Sequence, residues 1–162
     1  MPCDVAEVQI TEFRETDLPE ILRIERISFP QPWSAEAFRA EAQHPLAQVR
    51  VLRTPEGQVL GYAVFRTYEQ AVHLLNIAVD PGCRGQGLGR LLLQEVVRWA
   101  QKQHVPWVVL EVRVSNRRAQ RFYERFGFRR IQRLPGYYGN EDGWLYLYDV
   151  PQASSAPEGA EE

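Results

Sequence analysis

Long apolar runs are missing from this chain. No stretch approaches the ~20 residues that a bilayer-spanning helix needs. The opening Met1-Pro2-Cys3-Asp4 has neither the basic nor the apolar region of a secretory signal, so the expected location is the cytoplasm. Cysteine is scarce as well: Cys3 and Cys83 make no disulfide framework. Cys3 falls in a terminus expected to be floppy. Cys83 falls in a glycine-rich loop, where a small loop residue is the better reading than an oxidisable thiol beside a ligand, and no catalytic cysteine is expected. His44, His73 and His104 are scattered without ligand spacing, so no metal is assigned. Charge of neither sign dominates, since 19 Lys and Arg face 21 Asp and Glu for a net charge of -2. That balance argues against wholesale binding of nucleic acid and leaves room for a local basic patch. Internal repeats and a second domain are also wanting.

What is present fits one ordinary domain. A chain of 162 residues with 44% hydrophobic and 25% charged residues can bury a sizeable core and is short for two. The expected layout is a flexible N-terminus over 1–6, a single domain over 7–150 and a disordered acidic tail over 151–162. The tail's Ala, Ser, Pro, Gly and Glu bury too little apolar area to offset ordering entropy.

The informative stretch runs from Leu74 to Val105. Its apolar run to Val79 is short, contains branched residues and stops at Asp80-Pro81-Gly82, which reads as a buried strand entering a turn. From Leu88 the apolar positions Leu88, Leu92, Val96, Trp99 and Ala100 recur at helical spacing. Between strand and helix lies Arg84-Gly85-Gln86-Gly87-Leu88-Gly89, whose glycines let a ligand approach backbone N–H groups without interference from Cβ. Those groups open a helix, whose positive end favours an anion such as a pyrophosphate. From the residues alone the loop reads equally well as a tight strand-to-helix connection. A triphosphate loop would need Gly-Lys-Ser/Thr, but Arg90-Leu91 follows Gly89. A dinucleotide fingerprint would need a glycine where Arg90 stands, although Glu111 lies at roughly the right distance for a ribose-binding acid.

Around that stretch the pattern predicts a strand over Val8–Phe13 and a helix capped by Thr16 or Asp17, with Leu18, Ile21, Leu22 and Ile24 on its buried side. Phe29-Pro30-Gln31-Pro32-Trp33 breaks the chain, and Ser34 caps a second helix to about Gln43. Gln48–Thr54 and Gln58–Thr67 read as a hairpin joined at Pro55-Glu56-Gly57, and Val72–Val79 extends the sheet. Trp107–Val114 is a nearly unbroken apolar run of the kind buried mid-sheet. A helix follows from Ser115 or Asn116, with Gly127 as its left-handed end. Phe128–Gln132 and Trp144–Val150 close the sheet around the loop Pro135–Gly143.

Three segments carry a resemblance. Asn76-Ile77-Ala78-Val79-Asp80-Pro81 followed by Arg84-x-x-Gly87-x-Gly89 resembles the acetyl-CoA signature of GCN5-related N-acetyltransferases. Leu110-Glu111-Val112-Arg113-x-Ser115-Asn116 and Phe122-Tyr123-Glu124-Arg125-Phe126-Gly127-Phe128 match the same family at the expected spacing, and the likeness covers about residues 7 to 150. Members that acetylate the N-terminal alanine of a ribosomal protein combine these motifs in this order and carry a Tyr-Tyr pair before the last strand, here Tyr137-Tyr138. The loop after Tyr138 is short and Gly143-Trp144 replaces a small aliphatic run, a departure that bears on the acceptor more than on the chemistry.

The resemblance implies an α/β (α+β) fold, a mixed and mostly antiparallel sheet of about seven strands flanked by about four helices, with acetyl-CoA at its splayed middle. It also implies that Ile77, Ala78, Val79, Arg84, Gly85, Gln86, Gly87, Leu88, Gly89, Arg90 and Asn116 hold the co-substrate. The Val79 N–H is then the donor to the oxyanion. Glu111 shares a strand face with Arg113, and charge pattern alone leaves a structural ion pair and a catalytic base both open. The resemblance makes Glu111 the base, acting directly or through water, and Tyr123 the acid. From the residues alone Asn116 reads as a helix cap and Tyr123 as a core aromatic. Phe29, Trp33, Tyr137 and Tyr138 are the expected acceptor contacts, with Glu141 and Asp142 available to attract a cationic amine. The series Arg117, Arg118, Arg121, Arg125, Arg129, Arg130 and Arg133 reads mostly as a solvated face, with one or two members left for CoA phosphates or a ribosomal partner. The expected function is transfer of acetyl from acetyl-CoA to the α-amine of a protein N-terminus, alanine first, on a ribosomal protein, without metal, membrane or nucleic acid. The alternatives are acetylation of lysine or small amines, and a non-catalytic CoA-binding module.

Overall fold

The structure is a computed structural model and describes residues 7–152; the expectations for 1–6, Cys3 among them, and for most of the tail lie outside the described residues. The chain runs β1 (Gln9–Glu12), α1 (Leu18–Ser28), α2 (Ala35–Gln43), β2 (Ala47–Arg53), β3 (Val59–Thr67), β4 (Ala71–Val79), α3 (Leu88–Lys102), β5 (Trp107–Arg113), α4 (Arg117–Phe126), β6 (Arg129–Leu134) and β7 (Gly143–Asp149). The strands hydrogen-bond in the order β1-β2-β3-β4-β5-β7-β6. The β1–β2, β2–β3, β5–β7 and β6–β7 pairs are antiparallel and β4–β5 is parallel, so the sheet is mixed as expected. Among the described residues no helix is long and apolar enough to cross a membrane.

Two compact units divide the described residues. One takes its residues from Met1–Thr67 and Leu74–Val96, the other from Tyr68–His73 and Val97–Glu162. In the first, α1 buries Leu18, Ile21 and Ile24 against Val49, Val51, Tyr62 and Val64, and α2 adds Phe38. Phe38 meets the Tyr62 ring edge-on at 5.6 Å between centroids. The predicted cap of α2 is in place, since the Ala37 N–H donates to Ser34 Oγ at 3.1 Å. Gly61 has no room for a side chain, because a Cβ there would lie 2.7 Å from the Ala78 carbonyl oxygen. Cys83 is buried and disulfide-bonded rather than the plain loop residue expected, which corrects the expectation that the cysteines form no disulfide.

Asp17 stands at the cap position of α1 but makes no side-chain cap bond. Its carboxylate accepts from the two terminal guanidinium nitrogens of Arg53, at 3.0 and 2.9 Å, and from the Arg14 N–H at 2.8 Å. Asp17 and Arg53 are only 4% and 5% exposed. A buried carboxylate with a bidentate arginine gains more from that pair than a helix end offers it.

In the second unit β7 lies between β5 and the edge strand β6. Val108, Leu110 and Val112 are buried, while Val109, Glu111 and Arg113 are half-buried. The apolar run is therefore not buried on both faces, as its composition implied; one face is partly open, and Glu111 is on it. In the same unit, Tyr123 of α4 packs against Phe128 and Tyr146, at 5.5 and 6.4 Å between centroids. Gly127 ends α4 at φ +125°, as expected of a glycine stop.

Burial raises the Asp17 pKa, but the hydrogen bonds from Arg53 and the Arg14 amide outweigh it and leave the group below the usual aspartate value. A depressed carboxyl contributes stability above its unfolded pKa of about 4 and loses it as pH falls through the lower folded value. Asp17→Ala leaves Arg53 buried and unpaired, and urea unfolding at pH 7 is expected to show a loss of about 3–5 kcal/mol. The difference between variant and wild type should shrink on acidification below pH 4; a constant difference would contradict this assignment.

Candidate active site

Pairing of β4 with β5 sets Ala71 opposite Trp107, Val72 opposite Val108 and His73 opposite Val109. Alternation along β5 puts Val109, Glu111 and Arg113 on one face, and His73 Nε2 lies 2.7 Å from Glu111 Oε1. Because a carboxylate only accepts, the imidazole is the donor in this bond. Glu111 thus has a partner, and it is not Arg113. Arg113 donates to Glu141 at 3.1 Å and Asn140 at 3.0 Å, and its guanidinium lies 4.4 Å from the centre of the Tyr138 ring. Sequence reasoning missed His73. The signal lay in pairing the two strands in parallel, which aligns His73 with the β5 face that carries Glu111.

The tyrosine pair lies near the same carboxylate. Tyr137 and Tyr138 meet edge-on at 4.9 Å. Burial, and after it the negative charge of Glu111, pushes the Tyr138 phenol up to about 12 and raises Tyr137 as well. Both remain neutral donors at neutral pH. The two loop acids are engaged within the loop and its neighbours. Glu141 accepts from Arg113 and from the Ser115 N–H and hydroxyl, at 3.0–3.1 Å. Asp142 accepts from Arg133 and the Gly136 N–H, each at 2.7 Å.

Tyr123 is buried and its hydroxyl makes no hydrogen bond among the described residues. Burial, and after it the charge of Tyr138, pushes its pKa well above that of a free phenol, so it stays protonated at neutral pH. A buried hydroxyl without a partner costs free energy, and a ligand sulfur or oxygen would relieve it. Asn116 uses its Oδ1 to cap α4 through the Ala119 N–H at 3.1 Å, and its amide NH₂ makes no bond among the described residues. The capping expectation and a donor role toward a ligand are therefore compatible.

In the first unit the end of β4 carries Ile77, Ala78 and Val79 into a single tight turn, Pro81–Cys83, with Arg84 after it. Arg84 donates to the Val79 carbonyl at 3.3 Å and to Ser28 Oγ at 3.1 Å, so its guanidinium braces the strand end. Gly85 and Gly87 adopt φ +81° and +82°, a region closed to most side chains, and a Cβ on either would point into open space. The loop backbone is thus both glycine-dependent and accessible. Leu88 is buried, so its contribution to a ligand is confined to its backbone; Gln86 and Arg90 are exposed and Gly89 is half-buried. Phe29 and Trp33 are half-buried against the core of this unit, with Trp33 5.2 Å from Phe38. The structure therefore brings Glu111, Tyr137 and Tyr138 together in the second unit, where Tyr123 and Asn116 also lie, and keeps the loop and the Phe29–Trp33 segment in the first.

Of the arginine series, Arg129 pairs with Asp149, Arg130 with Glu124 and Arg133 with Asp142, while Arg117, Arg118, Arg121 and Arg125 are exposed on α4. A shallow cavity of about 740 Å³ is lined by Arg117, Gln120, Arg130, Arg133 and Trp144 and contains neither Glu111 nor Tyr123, so it does not mark the chemistry. Among the described residues no group of His, Cys, Asp or Glu can hold a metal ion.

Comparison with known proteins decides the family. The pattern described as the Acetyltransferase (GNAT) family matches residues 18–128. The chain belongs to the GNAT acetyltransferase family. It is 34% identical over 134 residues to the [ribosomal protein bS18]-alanine N-acetyltransferase of Escherichia coli K12, covering 83% of this chain and 89% of that one. It is 33% identical over 119 residues to a putative enzyme of the same name from Bacillus subtilis, covering 73% and 78%. The crystal structure of the Escherichia coli ribosomal-protein-S18-alanine N-acetyltransferase superposes with a TM-score of 0.79 at 31% identity, over 94% of this chain and 99% of that one. The protein is an N-acetyltransferase with the GNAT fold.

The glycine loop yields a test of its own. Gly87→Val introduces a branched side chain at positive φ, strain of about 1–3 kcal/mol, and also fills the open approach to the backbone. Gly57→Val, at φ +98° in the β2–β3 turn and equally open, introduces the same strain away from the loop. Calorimetry with acetyl-CoA is expected to give an affinity about tenfold or more weaker for Gly87→Val and unchanged for Gly57→Val. Equal affinities in the two variants would remove the loop from the binding site.

Proposed function

We propose that this enzyme transfers an acetyl group from acetyl-CoA to the α-amine of a protein N-terminus, preferring alanine, and that the acceptor is a ribosomal protein. The observation that carries the acceptor class is the 34% identity extending over 89% of an enzyme named for ribosomal protein bS18 alanine. The chemistry is supported by the carboxylate of Glu111, held by His73, and by the unpartnered phenol of Tyr123.

In this reading Glu111 takes the proton of the attacking amine, directly or through a water, as the nitrogen bonds to the acetyl carbonyl carbon. His73 holds the carboxylate in place. The N–H of Val79 meets the oxyanion, and fixed amides need no reorganisation as charge develops. When the carbon–sulfur bond breaks, Tyr123 gives its proton to the departing sulfur. The first turn of α3 and the Gly85–Gly89 backbone meet the pyrophosphate, and the Asn116 amide meets the pantetheine arm.

Base strength favours the α-amine. An α-amine has a pKa near 8 and a lysine amine near 10.4, a difference of about 2.4 units or roughly 3 kcal/mol in releasing the proton at neutral pH. A carboxylate base suits the easier deprotonation.

Purified enzyme, acetyl-CoA and a peptide with a free N-terminal alanine and an internal lysine test this reading. Fragment mapping by mass spectrometry is expected to place the acetyl group on the α-amine, and the same peptide with that amine blocked should react far more slowly. Preferential modification of the lysine, or of an added polyamine, would transfer the enzyme to the small-amine and lysine class. Glu111→Gln and Tyr123→Phe are each expected to lower turnover by about 10² or more with acetyl-CoA affinity retained. Wild-type turnover in either variant would withdraw that residue's role.

A further inference from the structure

Glu25 is 1% exposed on α1, a position whose neighbours Leu18, Ile21 and Ile24 are core residues. Buried carboxylates are ordinarily matched by a cation. Glu25 forms no salt bridge among the described residues. Instead it accepts from neutral donors only. The Tyr62 hydroxyl donates to Oε1 at 2.6 Å, the Asn76 amide donates to Oε1 and Oε2 at 3.0 and 3.1 Å, and the Trp33 N–H donates to Oε2 at 3.0 Å. An apolar residue of the same volume would suit this core with no polar group to satisfy, so the carboxylate calls for a reason beyond packing.

The reason is in what the donors belong to. Pro30 and Pro32 have no N–H, which leaves the break between α1 and α2 short of backbone donors. Glu25 holds this break at both ends: its carbonyl oxygen accepts from the Phe29 N–H at 3.1 Å and its carboxylate from the Trp33 N–H at 3.0 Å. Asn76 ties the same carboxylate to β4 immediately before Ile77, Ala78 and Val79.

We propose that Glu25 is a positioning residue for acceptor binding, fixing the Phe29–Trp33 segment and, through Asn76, setting it relative to the Ile77–Val79 end of β4. The proposal rests on the reading above in which Phe29 and Trp33 touch the acceptor. Glu25 itself stays out of contact with the amine, since both of its oxygens are occupied and its side chain is buried.

Glu25→Gln keeps the shape and sets an NH₂ group against donors. In steady-state assays it is expected to raise KM for the acceptor about tenfold or more while kcat at saturating acceptor, and Kd for acetyl-CoA by calorimetry, stay within about twofold of wild type. A core residue that merely stabilised the fold would not split the parameters in this way. Unchanged acceptor KM, or a matching loss of acetyl-CoA affinity, would overturn the proposal. Hydrogen exchange on the wild type supplies a readout independent of the variant's folding: the Trp33 amide is expected to exchange as slowly as β3 core amides, and fast exchange there would also overturn it. The comparison uses whichever amine the wild type acetylates, so failure of the alanine assay and failure of the Glu25 assignment are told apart.

Discussion

Parallel pairing of β4 with β5 over Ala71–His73 and Trp107–Val109 is the constraint on which the proposed chemistry depends. Without it His73 and Glu111 are two isolated polar residues in apolar strands, each expensive to bury. With it the imidazole reaches the carboxylate at 2.7 Å, and the half-open face of β5 becomes the one surface of that strand where a charge is tolerated. The charge then acts outward. It adds to burial in raising the phenols of Tyr137 and Tyr138, which keeps both as neutral hydrogen-bond donors near the proposed base.

Three carboxylates withdrawn from full solvent are stabilised in three different ways, and the differences sort structure from function. Asp17 has a bidentate arginine in an almost closed setting, which is what a fold-stabilising pair requires. Glu111 has a single histidine and remains partly open, leaving an oxygen able to take a proton. Glu25 has only neutral donors, one of them the backbone of a proline-interrupted segment. For two of the three, local sequence rules offered another partner: a helix end that Thr16 or Asp17 could cap, and for Glu111 an ion pair with Arg113 as one of two open readings. In each case a tertiary partner more than thirty residues away in sequence offered a stronger bond than the local one.

Element type and order were legible in the sequence, because strand alternation, helical spacing and caps such as Ser34 and Gly127 are local signals. So was the loop, whose positive-φ glycines at 85 and 87 fit only residues lacking a Cβ. What the sequence did not disclose was pairing at a distance. His73 looked scattered because its meaning depends on which strand lies beside β4. Glu25 was invisible for a related reason: at its spacing on α1 it falls between core positions, and no local pattern reveals that Tyr62, Asn76 and Trp33 converge on it. The half-open face of β5 was hidden by composition, since Val109 hides the alternation that Glu111 and Arg113 would otherwise announce.

The proposed acceptor selection rests on the same accounting of partners. Glu141 and Asp142 look in sequence like free acids able to draw in a cationic amine, yet each is held by an arginine and by backbone or hydroxyl donors of the loop and its neighbours. Their negative charge is largely answered before any substrate arrives, and exposed loop acids contribute little at a distance in any case. What the loop presents instead is the Tyr137–Tyr138 edge, with Gly143 leaving space beneath the rings: a Cβ there would come within 2.9 Å of Tyr138. A surface of neutral phenols close to a single carboxylate offers no second acid to pair with a long cationic side chain. It is compatible with the proposed acceptor, a small N-terminal residue whose amine is readily made neutral, which the pKa difference between α-amines and lysine also favours.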